Sequence, residues 1–209
     1  MTTTTDDPKV IPEFAGLTFD EGPHIYRLDG REIPSVSSIM EPLRNVHYAG
    51  ISEKTLERAA NKGTAVHNAI ENWLKYEIED IAGDHYGYFA AFLDWYRYRN
   101  PDVIGSEIRV FHKILRYGGT CDLLCVIDGK IWLIDFKTTY TISEMTCGVQ
   151  LEAYSQAFAS FGYKIDQKMI LHLKQDATWK EYFFPANDPT RWRVFGACKT
   201  VYDYTRSCK

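Results

Sequence analysis

The sequence predicts an α/β fold, a sheet-containing core with helical additions, and three observations carry that expectation. Three strand-like apolar runs follow one another between residues 107 and 138. Segments with apolar residues at helical spacing stand before and after them. At 209 residues, the chain fits one domain large enough to bury a substantial core.

In chain order, residues 1–13 are polar and are expected to form a flexible tail ahead of a single domain over 14–209. "HIYRLDGREIPSVSSI" reads as a small hairpin turning at Asp29-Gly30, with a short helix after Pro34. Residues 53–61 and 64–80 have helical patterns, broken near Gly63; Val66, Ala69, Ile70, Trp73 and Leu74 form the apolar stripe of the second. A helix over 85–99 is ended by Asn100-Pro101. Strands are expected at 107–113, 119–127 and 130–138, a helix at 144–161, strands at 167–174 and 179–184, and a last helix at 188–205.

Composition sets limits on function. Hydrophobic content of 45% and charged content of 25% suit a soluble globular protein. No run of 18 apolar residues occurs, so no membrane span is expected. The start, MTTTTDDPK, lacks the basic-then-apolar pattern of a secretory signal. The five cysteines lack metal-ligand spacing, and Cys121 with Cys125 is expected to pack on one face of a strand. A reduced, cytoplasmic setting follows. Of the net charge of −4, all lies in residues 1–22, and the remainder is balanced. That is no broad basic surface for nucleic acid, and it leaves affinity to local geometry or bound cations.

The stretch "GGTCDLLCVIDGKIWLIDFKTT" places two acids in a hairpin otherwise built of buried residue types. If Asp128-Gly129 forms a two-residue loop, Asp122 falls opposite Asp135, with Cβ atoms about 4.5–5.5 Å apart. Lys137 then shares their face, since side chains alternate with period two. Carboxylates so close repel unless a proton or cation lies between them, and a hard divalent cation takes oxygen ligands. A structural ion pair between Asp122 and Lys137 satisfies the same pattern.

Five elements in order, "GTAVHNAIE", "SEIRVF", "GGTCDLL", "LIDFKTT" and "QLEAYSQAF", resemble the PD-(D/E)XK nuclease superfamily, in particular its RecB-type and phage-exonuclease branch. "HIYRLDGREIPSVSSIM" is also similar to the N-terminal segment of some members. The resemblance covers residues 24–161. It implies a restriction-endonuclease-like core, a central mixed β-sheet flanked by helices, with an N-terminal hairpin and helical additions.

By the same resemblance, the expected activity is metal-dependent exonucleolytic hydrolysis of DNA from a free end, with Mg²⁺ or Mn²⁺ as cofactor. Endonuclease activity, or nucleic-acid binding without catalysis, are the alternatives. Asp122, Asp135, His67 and the Phe136 carbonyl would hold the metal. Lys137 would orient or deprotonate the attacking water, its pKa depressed by the cation. Gln150 and Tyr154, one helical turn apart, would position water or a phosphate oxygen. Glu71, which shares a helix face with His67, and Glu107 stand between supporting the site and a structural role.

"DWYRYR" interleaves aromatics with Arg97 and Arg99, which fits base stacking and phosphate contact or an amphipathic helix with solvated arginines. Arg191, Arg193, Lys199, Arg206 and Lys209 make the C-terminal segment locally basic. Iron–sulfur relatives add one cysteine before the core and three after; none precedes Cys121 here, so no cluster is expected. No P-loop motif is present, and processivity would come from a homo-oligomer or a partner such as a single-strand annealing protein. A phage recombination enzyme in the host cytoplasm is the biological picture the resemblance implies.

Overall fold

The structure, a computed structural model, describes residues 9–208. Two sheets organise it. A small antiparallel sheet joins β1 (Leu17–Asp20), β2 (Ile25–Leu28) and β3 (Arg31–Ile33), in that order. The main sheet has five strands in sequence order: β4 (Asp102–Phe111), β5 (Gly118–Ile127), β6 (Lys130–Lys137), β7 (Gln167–Leu173) and β8 (Trp179–Phe184). It is mixed, because β6 and β7 are parallel while the other neighbours are antiparallel. The parallel pair needs a crossover, which α5 (Glu144–Ala159) supplies.

Helices cover both faces of this sheet. On one, α5 packs with α1 (Val36–Ile39) and α6 (Pro189–Ser207) over Leu124, Leu133, Ile170 and Phe184. On the other, α3 (Glu53–Tyr76) and α4 (Tyr86–Arg99) pack over Leu123, Cys125, Ile134, Phe136 and Leu171. The helix α2 (Glu41–His47) and a 3-10 turn, Gly83–His85, complete the elements. The expected architecture, a central mixed β-sheet flanked by helices with an N-terminal hairpin, is therefore present.

Local chemistry explains the turns. Asp29-Gly30 and Asp128-Gly129 each place both residues at positive φ, the type I′ geometry that matches strand twist. At the end of α4, Asn100 adopts the left-handed conformation at φ 46°, and Pro101 follows. The helices α3 and α5 are capped by Ser52 and Ser143, whose side chains accept from Thr55 and Thr146 N–H groups.

Three expectations need correction. First, α3 runs unbroken through Gly63 from Glu53 to Tyr76. A helical glycine costs about 1 kcal/mol against alanine, whereas burying Val66 and Ile70 completely returns about 1.5–3 kcal/mol each. Second, the strand expected at 107 begins at Asp102, with an irregularity between Val103 and Gly105. Third, Cys121 and Cys125 do not share a face: Cys121 packs in the α5 layer and Cys125 in the α3–α4 layer. Of the expected flexible tail, residues 1–8 lie outside the described residues. Within 9–13, Ile11 packs against the α5-side core and Lys9 pairs with Asp102. Among the described residues, no helix is long and apolar enough to cross a membrane.

Candidate metal and catalytic centre

The β5–β6 hairpin keeps the expected register, Ile127 with Lys130 through Leu123 with Ile134. One pair short of Asp122 and Asp135 the ladder stops. Alternation fails at the same level, since Leu123 and Cys121 pack in opposite layers although two residues apart. On the β4 side, Ser106 pairs with Leu123 and Ile108 with Cys121, which leaves Glu107 across from Asp122. Glu107 lies at φ 49°, in the left-handed region that non-glycine residues adopt at a cost. The sheet thus opens at Asp122, and side chains take over from backbone pairing.

Asp122 performs that substitution. Its Oδ2 accepts the Phe136 N–H at 2.6 Å, bridging the two strands where the ladder has ended. His67, from α3, reaches the same gap. Its Nδ1 lies 3.5 Å from Asp122 Oδ2 and 3.7 Å from Glu107 Oε1. Its Nε2 donates to the Phe136 carbonyl at 3.2 Å. Ligand atoms of His67, Glu107 and Asp122 all fall within 4.8 Å of one another.

Asp135 occupies the α5 side of the opening and is 2% exposed. Gln150 Nε2 donates to its Oδ1 at 3.0 Å and lies 3.0 Å from the Tyr154 hydroxyl. Lys137 Nζ sits 2.6 Å from Asp135 Oδ2. That oxygen is buried and receives no hydrogen bond of proper geometry, so the contact is one of charge. Gly119 admits Tyr154: a Cβ there would stand 2.5 Å from the ring.

The titration behaviour follows from this crowding. Burial works against a charged His67, yet Asp122 and Glu107 overcome it and hold the imidazole well above its ordinary range. Burial also opposes ionised Asp122, but His67, Lys137 and the Phe136 N–H keep it below the usual carboxylate range. Asp135 is pushed up to about 6, by burial first and by Asp122, against the pull of Lys137. Burial likewise raises Glu107. Despite burial, the carboxylates of Asp135 and Asp122 drive Lys137 up. Burial raises Tyr154 far enough to keep it a phenol.

The expected residues divide accordingly. His67, Asp122, Asp135, Lys137, Gln150, Tyr154 and the Phe136 carbonyl converge. Glu107 joins them as a full member of the donor cluster, a position its strand context did not reveal because its backbone conformation sets its aim. Glu71 pairs with Lys75 one turn along α3, and its charge bears on Glu107. Arg99 is committed elsewhere: its guanidinium binds the Glu181 carboxylate through Nε and Nη2 at 2.8 and 2.6 Å, and Trp95 Nε1 joins the same carboxylate. Arg97 is exposed on α4, apart from this group. A buried pair of Glu152 and Lys168 also lies in the α5 layer, outside the residues the motifs single out, although each charge stands in an apolar run.

A divalent cation fits this site. The donor set is one imidazole, carboxylates and a backbone carbonyl, all hard or borderline ligands. The buried Asp135 Oδ2 has no hydrogen-bond donor of proper geometry to satisfy it.

No protein-family model matches the chain, and no curated protein matches it. Among solved structures, LHK-Exo in complex with dAMP aligns over 84% of this chain and 88% of its own, at 11% identity and a TM-score of 0.45. The protein SSO0001 aligns over 78% and 84% respectively, at 13% identity and a TM-score of 0.36.

Proposed function

We propose that this chain is a metal-dependent nuclease that hydrolyses phosphodiester bonds of DNA, acting from a free end. The observation that carries this reading is the convergence of Asp122, Asp135, Glu107, His67 and Lys137 where the β5–β6 ladder opens. Charges gathered at such density, with a left-handed Glu107 to complete them, serve chemistry better than stability.

His67, Glu107, Asp122, Asp135 and the Phe136 carbonyl would hold Mg²⁺ or Mn²⁺. When bound, the cation supplies Lewis acidity toward the scissile phosphate. The chain's own groups do the rest. Lys137, held protonated, neutralises charge developing on the phosphate oxygens and orients the attacking water. Asp135, whose Oδ2 lies 2.6 Å from Lys137 Nζ, would be kept ionised by the bound cation and holds that lysine in place beside the water. Gln150 fixes the Asp135 carboxylate through Oδ1. It also supplies a donor to the Tyr154 oxygen, leaving the phenol proton for an oxygen in the site. Preference for DNA ends, the choice of Mg²⁺ or Mn²⁺ and an annealing partner rest on the sequence resemblance.

The test compares end-labelled linear duplex with closed circular DNA in Mg²⁺, Mn²⁺ or EDTA, with Lys137→Ala alongside. Metal-dependent loss of linear DNA alone, absent in the variant, is the expected result. Cutting of circles makes the enzyme an endonuclease with the same centre. Equal activity in Lys137→Ala removes the assignment of Asp122, Asp135 and Lys137 to catalysis, and no activity of the wild type on any substrate removes the nuclease reading.

A further inference from the structure

The loop leaving β6 is built to hold one aromatic side chain in solvent. Tyr140, three residues beyond Lys137, is 98% exposed. The backbone before it is fastened from two sides. Lys62, from α3, donates to the Thr138 carbonyl at 2.7 Å and lies 3.1 Å from the Tyr88 hydroxyl. His172, from β7 and 4% exposed, bonds the Thr139 carbonyl through Nε2 at 2.7 Å. A carbonyl only accepts, so Nε2 carries the proton, and the buried Nδ1 is left without a hydrogen-bond partner. Thr139 Oγ1 then donates to the Thr141 carbonyl at 2.9 Å, closing the turn around Tyr140. An aromatic ring fully in water, on a backbone tied down at the two preceding residues, is presented to something.

The surroundings indicate what. Lys137 on β6, His172 on β7 and Lys180 on β8 occupy one register level across three adjacent strands. The charges of Lys174, Lys180 and Lys62 all bear on His172. The loop that carries the ring is therefore anchored on a local concentration of cations that begins at the centre described above. The chain as a whole has 24 basic against 28 acidic residues and no general attraction for a duplex. Binding through base stacking, which needs unpaired bases, suits such a surface better than binding through phosphate charge alone.

We infer that Tyr140 stacks on an unpaired DNA base next to the scissile phosphate, making single-stranded or frayed DNA ends the substrate that this site engages. Lys62 and His172 are positioning residues that hold the loop. The inference rests on the nuclease reading, which places a scissile phosphate at Lys137.

Fluorescence of a short single strand carrying 2-aminopurine near its end, titrated with the full chain in EDTA, tests it without hydrolysis. The expected result is quenching with the wild type and Tyr140→Phe. Tyr140→Ala should abolish the quenching and bind about tenfold more weakly, as loss of one aromatic stack implies. Circular dichroism of Tyr140→Ala should match the wild type, because the side chain packs on nothing. Wild-type quenching and affinity in Tyr140→Ala overturn the inference, as does a Tyr140→Phe variant as weak as Tyr140→Ala. Hydrolysis of the same strand in Mn²⁺ separates the two readings. Tyr140-dependent quenching without wild-type hydrolysis leaves the stacking role and removes the nuclease. Hydrolysis and binding both indifferent to Tyr140→Ala do the reverse.

Discussion

Asp122 takes the Phe136 N–H on its carboxylate at 2.6 Å, and by doing so joins two strands at the level where their backbones have stopped pairing. The same oxygen faces His67 at 3.5 Å. One carboxylate thus has a structural duty toward Phe136 and an electrostatic one toward the centre.

Those duties are separable by substitution. Asp122→Asn keeps an acceptor for Phe136 and should lose metal-dependent hydrolysis while unfolding near the wild-type temperature. Asp122→Ala leaves a buried N–H unsatisfied and should in addition lose about 1–3 kcal/mol of stability. Urea denaturation of both variants, beside the hydrolysis assay, measures the split. Equal stabilities would mean that the Phe136 bond contributes nothing.

Glu107 carries strain that glycine would release. Glu107→Gly should stabilise the fold by up to about 1 kcal/mol, since glycine adopts positive φ freely and a raised, half-buried carboxyl is removed. The same change should weaken Mn²⁺ binding at least tenfold, read by calorimetry. A variant that is less stable, or that binds Mn²⁺ as well as the wild type, contradicts the role given to this residue.

Protons and cations should compete for the centre. Asp135 is raised to about 6 from 3.8, and His67 and Glu107 are also raised. A raised group holds its proton more tightly when folded, so its contribution is complete below its ordinary value and is lost as pH climbs through its folded one. Asp122, lowered, works in the opposite sense, but only on acidification below about 4. In EDTA, stability should therefore decline from about pH 4 to about pH 6 with Asp135, and further above about pH 6.5 with His67. Saturating Mn²⁺ should flatten that slope, and its binding near pH 6 should release protons, visible as a dependence of binding heat on buffer ionisation enthalpy. Binding heat independent of buffer would refute the competition.

The Glu152–Lys168 pair lies almost wholly out of water, and Glu152 also accepts from Gln156 and the Asp188 N–H. Lys168→Met alone strands a buried carboxylate and should cost about 3–5 kcal/mol. Adding Glu152→Gln should recover a large part of that loss, giving a coupling above about 1 kcal/mol in a double-mutant cycle. Additive effects would show that the two charges act independently.

Much of this arrangement is legible in sequence, and the boundary of legibility is physical. The two Asp-Gly turns fix hairpin registers through their own backbone preferences, so the β5–β6 pairing follows from two residues of local chemistry, Asp128 and Gly129. Helical spacing puts Gln150 and Tyr154 on one face whatever else the chain does. Where a ladder ends, however, is decided across strands. The opening at Asp122 depends on Glu107, fifteen residues upstream in another strand, whose φ has no signature in residue type. Gly63 misled because its penalty is local and the burial that outweighs it is not. Arg99 looked free for nucleic acid because its partner, Glu181, lies 82 positions away in sequence.

The crossover from β6 through α5 to β7 has a consequence for the order of assembly. The β5–β6 hairpin closes through a two-residue turn, but β7 can reach β6 only after residues 138–166 have been looped out. Gln150 and His172 accordingly arrive at Asp135 and Lys137 after the hairpin exists. The acids of the centre, Glu107, Asp122 and Asp135, stand on β4, β5 and β6, so their repulsion is met as that local meander forms, before β7 docks. A cation that relieves it would act at the start of assembly, hastening entry to the folded state more than it slows escape.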